Sequence, residues 1–138
     1  MTPTRASDEI HIDLSLPSDS AGAICAARRL ADQLGFDDTQ QCLIATAVSE
    51  LATNIIRYAG SGQIMLRAIR EAGRDGLEVV AQDHGPGIRD VGQAMQEHFS
   101  TGNSLGLGLP GVKRLMDEFF INSKPGMGTL CIARKWRS

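Results

Sequence analysis

The stretch IHIDLSL, residues 10–16, alternates apolar and polar positions with a period of two, which predicts a strand. The period then changes to that of a helix. Ile24, Ala27, Leu30 and Leu34 fall on one face, with Ser18–Ser20 available as a cap and Gly35 as a stop. Asp38 followed by Gln41 has capping-box spacing and predicts a second helix running to about Tyr58, before AGSGQ. Residues 63–70 and 77–82 read as strands joined through EAGRDG as a hairpin, and DHGPGI then breaks the chain. A short helical pattern over 90–97 leads into polar STGNSLG. A helix starts near Pro110, and FFINS and TLCIARKW are strands about the turn KPGMG. The order β-α-α-β-β-(α)-α-β-β has hairpins, not alternating βαβ units. It predicts an α+β fold: a two-layer sandwich of a mixed or antiparallel sheet with helices on one face, forming one domain over 1–138.

Composition narrows this little. With 138 residues, 42% hydrophobic, the chain can build a sizeable core, and a net charge of -2 gives no basic footprint for nucleic acid or an anionic membrane. No apolar run approaches the ~20 residues of a membrane span, and the N-terminus lacks the apolar core of a secretory signal. Cys25, Cys42 and Cys131 are odd in number and widely spaced, and read as buried thiols of a reducing cytosol. His11, His84 and His98 have no metal-ligand spacing.

Three clusters carry candidate chemistry. In SELATNIIRY, Glu50 and Asn54 lie one helical turn apart, with Arg57 a further three along, near the same edge. A lone Glu-x-x-x-Asn is ordinarily a solvated stripe. Here the amide sits among Ala52, Ile55 and Ile56, where it gains little without a partner. A carboxylate and an amide oxygen so placed suit a hydroxyl and a hard cation such as Mg2+, which needs only one or two protein ligands beside phosphates and water. The second cluster, Asp83-His84-Gly85-Pro86-Gly87, follows a strand. By itself it is a turn; its carboxylate also suits an exocyclic amine, with glycines letting the backbone approach a ring. His84 has no identifiable nucleophile partner and is placed in the turn. The third, NSLGLGLPGVKRLMDEF, contains Gly106-x-Gly108-x-x-Gly111. A dinucleotide fingerprint must follow a strand inside a βαβ unit, and this one follows a polar loop; the Gly-Lys-Ser/Thr of a Walker loop is absent. What remains is a glycine loop feeding a helix N-terminus, a natural seat for phosphate, with Pro110 suited to the first turn.

In this order the clusters resemble the N, G1 and G2 boxes of the GHKL (Bergerat-fold) ATPase superfamily, with Thr129 of GMGTL matching the threonine that ends the set. The segments SELATNI, DHGPGI and GLPGVKRLMDEF are most similar to the RsbT-type serine/threonine switch-protein kinases of bacterial stress signalling. The resemblance implies ATP and Mg2+ as cofactors. Glu50 would be the general base and Asn54 the metal ligand, and Arg57 takes a position that is often lysine, facing the phosphates. Asp83 would bind the adenine amine, with Gly85, Gly87 and Thr129 completing the base pocket. Gly106 and Gly108, with the N–H groups that follow through Leu109 and Gly111, would hold the phosphates, and residues 88–105 would be the ATP lid.

Within the superfamily, a sensor kinase would need a phosphoacceptor His on a dimerisation helix, and a gyrase-type ATPase would need a transducer domain; the sequence offers neither. The resemblance thus implies a cytoplasmic kinase acting on a Ser or Thr of a separate STAS-domain antagonist or scaffold, then switching partners to activate a phosphatase. The alternative is an RsbW-like anti-sigma factor that sequesters a sigma factor, with kinase activity secondary. Neither implies a nucleic-acid or membrane partner.

Overall fold

The computed structural model describes residues 9–88, 95 and 108–137. Strands β1 (Ile10–Leu14), β2 (Gly62–Glu71), β3 (Arg74–Asp83), β4 (Glu118–Lys124) and β5 (Gly128–Trp136) form one sheet in the order β1-β2-β3-β5-β4. Every pairing is antiparallel, which resolves the expected mixed or antiparallel sheet to the second. The helices are α1 (Asp19–Gln33), α2 (Asp38–Asn54) and α3 (Gly108–Leu115), and α2 runs directly into a π-helical turn, Ile55–Ala59.

Register explains how one face became the core. Leu14, Ile64, Leu66, Leu77, Val79, Ala81, Cys131 and Ala133 are buried, and the alternation puts all of them on the same side of the sheet. Ala23, Ala27 and Leu30 of α1, Ile44, Val48 and Leu51 of α2, and Leu109 and Val112 of α3 join them in one cluster. Burying each large side chain contributes roughly 1.5–3 kcal/mol, so this shared face dominates the stability. The α+β two-layer fold with helices on one face is therefore as the periodicities predict.

Local boundaries differ from the expectations for identifiable reasons. Strand β1 stops at Leu14, not residue 16, because the Asp19 carboxylate accepts the N–H groups of Ser15 and Leu16. Ser18 occupies the α1 cap position without a side-chain hydrogen bond. For α2 the cap is Asp37, one residue earlier than expected, accepting from Gln40 N–H at 2.7 Å. Gln41 is buried instead and donates to the Phe36 carbonyl. Helix α3 starts at Gly108, ahead of Pro110. The short helix expected over 90–97 lies outside the described residues, apart from Met95. Among the cysteines only Cys131 is buried; Cys25 and Cys42 are exposed, because each falls on the solvent side of its helix.

The other face of the sheet carries an ion ladder. Arg67, Glu78, Arg134 and Glu118 stand directly opposite one another on β2, β3, β5 and β4. Glu78 accepts from Arg67 Nε at 2.6 Å and Arg134 Nε at 2.7 Å, and Arg134 reaches Glu118 at 3.2 Å. Burial pushes the Glu78 carboxyl up, but the two guanidinium hydrogen bonds more than offset it and leave the pKa lowered.

Candidate nucleotide site

Helix α2 presents its first two candidates on one flank. Arg28 of α1 reaches across the α1–α2 contact to the exposed Cys42 thiol at 3.6 Å. Helix α2 also packs against α3, and its Ala47 is fully buried. Glu50 and Asn54, three and seven residues beyond Ala47, lie along one stripe of α2 with it and are half-buried. Asn54 is the last residue of α2, where the backbone widens into the π-turn; Gly60 N–H bonds to the Ile55 carbonyl at 3.0 Å and closes it. Such turns recur at functional sites because the extra residue re-aims the side chains beyond it. Arg57, expected in α-helical register with Glu50 and Asn54, is exposed within this wider turn, its guanidinium 6.0 Å from the Tyr58 ring centroid.

The second group lies at the ends of the central strands. Asp83 and Thr129 are direct partners across β3 and β5, and Ser123 of β4 is in turn opposite Thr129. Their parity with Ala81 and Cys131 turns all three toward the helix side. Asp83 Oδ1 accepts the Gly85 N–H at 2.9 Å, shaping the turn. Burial, together with the negative charge of Asp83, pushes the Cys131 thiol up to about 12, so the neighbour beneath this carboxylate is a neutral thiol.

Close backbone approaches join the two groups. A Cβ on Gly62 would lie 2.8 Å from Ile55 Cγ2 and 3.1 Å from Asp83 Cβ, so Asp83 packs beside the residue that follows Asn54. A Cβ on Gly85 would meet Ala59 Cβ at 2.6 Å. Gly87 has φ +77, and a side chain there would strike the Lys124 carbonyl; Gly128, φ +82, is held as tightly against the Asp83 carbonyl. Gly126 N–H donates to the Pro86 carbonyl at 2.6 Å. The G1-like turn is thereby seated on the β4–β5 hairpin. An open depression of about 250 Å³ adjoins these strand ends, lined by Asp83, His84 and Thr129 with Gln82, Lys124 and Met127 among others. His84 is exposed.

Of the phosphate-loop candidates, Gly108 opens α3, Leu109 is a core residue at 8% exposure, and Gly111 is buried in the helix. Gly106 lies outside the described residues, as does the expected lid over 88–105, apart from Ile88 and Met95, which pack against the core. Sequence reasoning missed Ser123, which contacts Thr129 Oγ1 at 2.8 Å and accepts the Ile88 N–H at 2.7 Å. One signal was available: the hairpin is centred on Gly126, so 123 must oppose 129.

Comparison with known proteins identifies the family. Residues 15–134 match the family model described as histidine kinase-like ATPase domain. The chain is 52% identical over 117 residues to the serine/threonine-protein kinase RsbT of Bacillus subtilis, covering 82% of this chain and 88% of that kinase. It is 39% identical over 99 residues to an anti-sigma F factor of Caldanaerobacter subterraneus, covering 67% of this chain and 68% of that factor. In fold it is similar to a crystal structure of RsbU and RsbW domains from Mycobacterium tuberculosis, with a TM-score of 0.62 at 18% identity, over 94% of this chain and 33% of that longer one. The chain belongs to the histidine kinase-like ATPase domain family.

Proposed function

We propose that this chain, as a member of that family, is an ATP-dependent serine/threonine protein kinase of a partner-switching pathway, acting on a hydroxyl of a STAS-domain antagonist or scaffold. The observation that carries the reading is the junction just described. An acidic strand end, Asp83, packs through Gly62 and Gly85 against the turn that continues a helix bearing Glu50 and Asn54. A base held by Asp83 and Thr129 would leave its phosphates toward α2 and the start of α3. The oxygen donors of this flank suit Mg2+, with Asn54 as its protein ligand and the phosphates and water as the others. Bound there, Mg2+ would neutralise charge on the phosphates. Glu50 would accept the proton of the incoming Ser or Thr hydroxyl as the γ-phosphoryl group passes from ATP to that oxygen, with ADP as the leaving group. Gly108, Leu109 and Gly111 would supply backbone at the phosphate end, with Gly106 before them. Arg57 would add charge from the rim, with a fork geometry unlike that of lysine.

Among the described residues no helix is long and apolar enough to cross a membrane. The similarity to RsbT is what supports a cytoplasmic location in this reading. In this reading it also switches partners and activates a phosphatase. A second reading, sequestration of a sigma factor, draws on the 39% identity to an anti-sigma F factor; the higher identity to RsbT puts it second.

The test is transfer of label from Mg·ATP to purified STAS proteins. Wild type should phosphorylate one of them, and Glu50→Ala should lower the rate by at least ~100-fold, the lower end for a lost general base. Asn54→Ala should remove the Mg2+ dependence of ATP binding. Undiminished transfer by Glu50→Ala would refute the base assignment. A sigma factor recovered in place of any STAS protein would favour the second reading.

A further inference from the structure

Ser123 has no part in the scheme so far, yet its hydroxyl is the hub of the strand-end cluster. Three polar groups lie within hydrogen-bond distance of Ser123 Oγ: Ile88 N at 2.7 Å, Thr129 Oγ1 at 2.8 Å and the Gly128 carbonyl at 3.1 Å. Ile88 N–H is a donor only and the Gly128 carbonyl an acceptor only; Thr129 alone can be either. Ser123 has a single proton. Given to the Gly128 carbonyl, it leaves both Ser123 lone pairs occupied, one by Ile88 N–H and one by the Thr129 proton, and all three contacts become hydrogen bonds. Given to Thr129, it leaves two oxygens facing each other at 3.1 Å with no hydrogen between them. The first arrangement is favoured.

Its consequence falls on Thr129. With its proton committed to Ser123, the Thr129 hydroxyl has only lone pairs left to present. Asp83, its cross-strand partner, offers carboxylate oxygens, one of which already accepts Gly85 N–H. We propose that Ser123 is a specificity-determining residue: by taking the Thr129 proton it fixes an all-acceptor floor at the strand ends, which selects a purine carrying a 6-amino group and rejects one carrying a 6-oxo group. The inference rests on the nucleotide reading above and adds the residue that sets its base preference. A neutral hydrogen bond gained or lost at such a floor is equivalent to about a three- to tenfold change in affinity.

The experiment titrates the purified chain with Mg·ATP and with Mg·ITP, which replaces the 6-amino group by a 6-oxo group. Wild type should prefer ATP by at least about tenfold. Ser123→Ala, which frees the Thr129 proton, should narrow that ratio about tenfold, chiefly by improving ITP, while Ser123→Thr keeps a hydroxyl and should keep the ratio. Equal loss of both nucleotides in Ser123→Ala, or an unchanged ratio, would overturn the role of Ser123 while leaving the nucleotide site standing. Thr129→Val gives an independent arm should Ser123→Ala fail to fold. It should weaken ATP several-fold and leave ITP unchanged or improved; equal losses would overturn the proposal. Wild-type protein that binds ATP and ITP equally would overturn the base preference while leaving the nucleotide site standing; protein that binds neither nucleotide would sink the nucleotide reading itself.

Discussion

Replacing Gly85 by alanine tests whether the base-pocket turn and the end of α2 act as one unit. The added methyl would sit 2.6 Å from Ala59 Cβ, 2.9 Å from Ala59 Cα and 3.2 Å from Asp83 Oδ1. Ordinary carbon contacts are about 3.5–4.0 Å, so roughly 1 Å must be found by displacing either the π-turn or the Asp83 carboxylate. Overpacking of this kind costs about 1–3 kcal/mol. Both yielding elements belong to the proposed site, so the loss should appear in ATP affinity, as about a 5- to 150-fold weakening. Isothermal titration with Mg·ATP, paired with thermal melts, reads both terms. The diagnostic partner is Ala59→Gly, which removes the methyl at 2.6 Å and leaves the contact at 2.9 Å. In the Gly85→Ala background it should restore most of the affinity, although alone it costs up to ~1 kcal/mol of stability through backbone freedom. Gly85→Ala binding ATP at wild-type strength would refute the reasoning. So would a double variant whose losses simply add, since residues in contact must couple.

Other perturbations follow from the same coordinates. Glu78→Ala should cost about 2 kcal/mol in a urea melt, below the full penalty for breaking a buried pair because Arg67 and Arg134 remain 33% and 29% exposed. Glu78 has its pKa lowered in the folded state, so its stabilisation is complete above the ordinary 4.5 and is lost as pH falls through the lowered value; the gap between variant and wild type should close on acidification, and a gap that widens would contradict the ladder. Lys135 is buried and its ammonium donates to the Leu115 carbonyl at 2.9 Å, at the last residue of α3. Lys135→Met should lower stability by about 1–2 kcal/mol, with Lys135→Arg less harmful. With the folded protein at pH 8, a thiol reagent should label Cys25 and Cys42 quickly, while Cys131, its thiol held up to about 12, reacts only on unfolding; rapid modification of three thiols would overturn that burial.

Much of this molecule was legible in one dimension. Period-two and period-3.6 patterns mark the elements because each has a single buried face, and that requirement is written at every second or every third and fourth residue. The Glu50–Asn54 pair and the Asp83 turn could be read for the same reason: their spacing is local. Cysteine exposure was misread, because an apolar neighbourhood in sequence does not say which side of a helix meets the sheet. The π-turn at Ile55–Ala59 was likewise invisible, since it departs from α-helical geometry by a single residue per turn.

The tertiary structure alone decided how the local pieces meet. Antiparallel order β1-β2-β3-β5-β4 puts Thr129 opposite Asp83, and Ser123 opposite Thr129, although more than forty positions of sequence separate Asp83 from Thr129. Absent side chains at Gly62 and Gly85 let the Asp83 turn press against the end of α2, a contact with no local sequence cost to reveal it. The sequence determined which chemical groups are present and which faces they occupy. Only strand register, set by burying the common apolar face, determined which of those groups share protons.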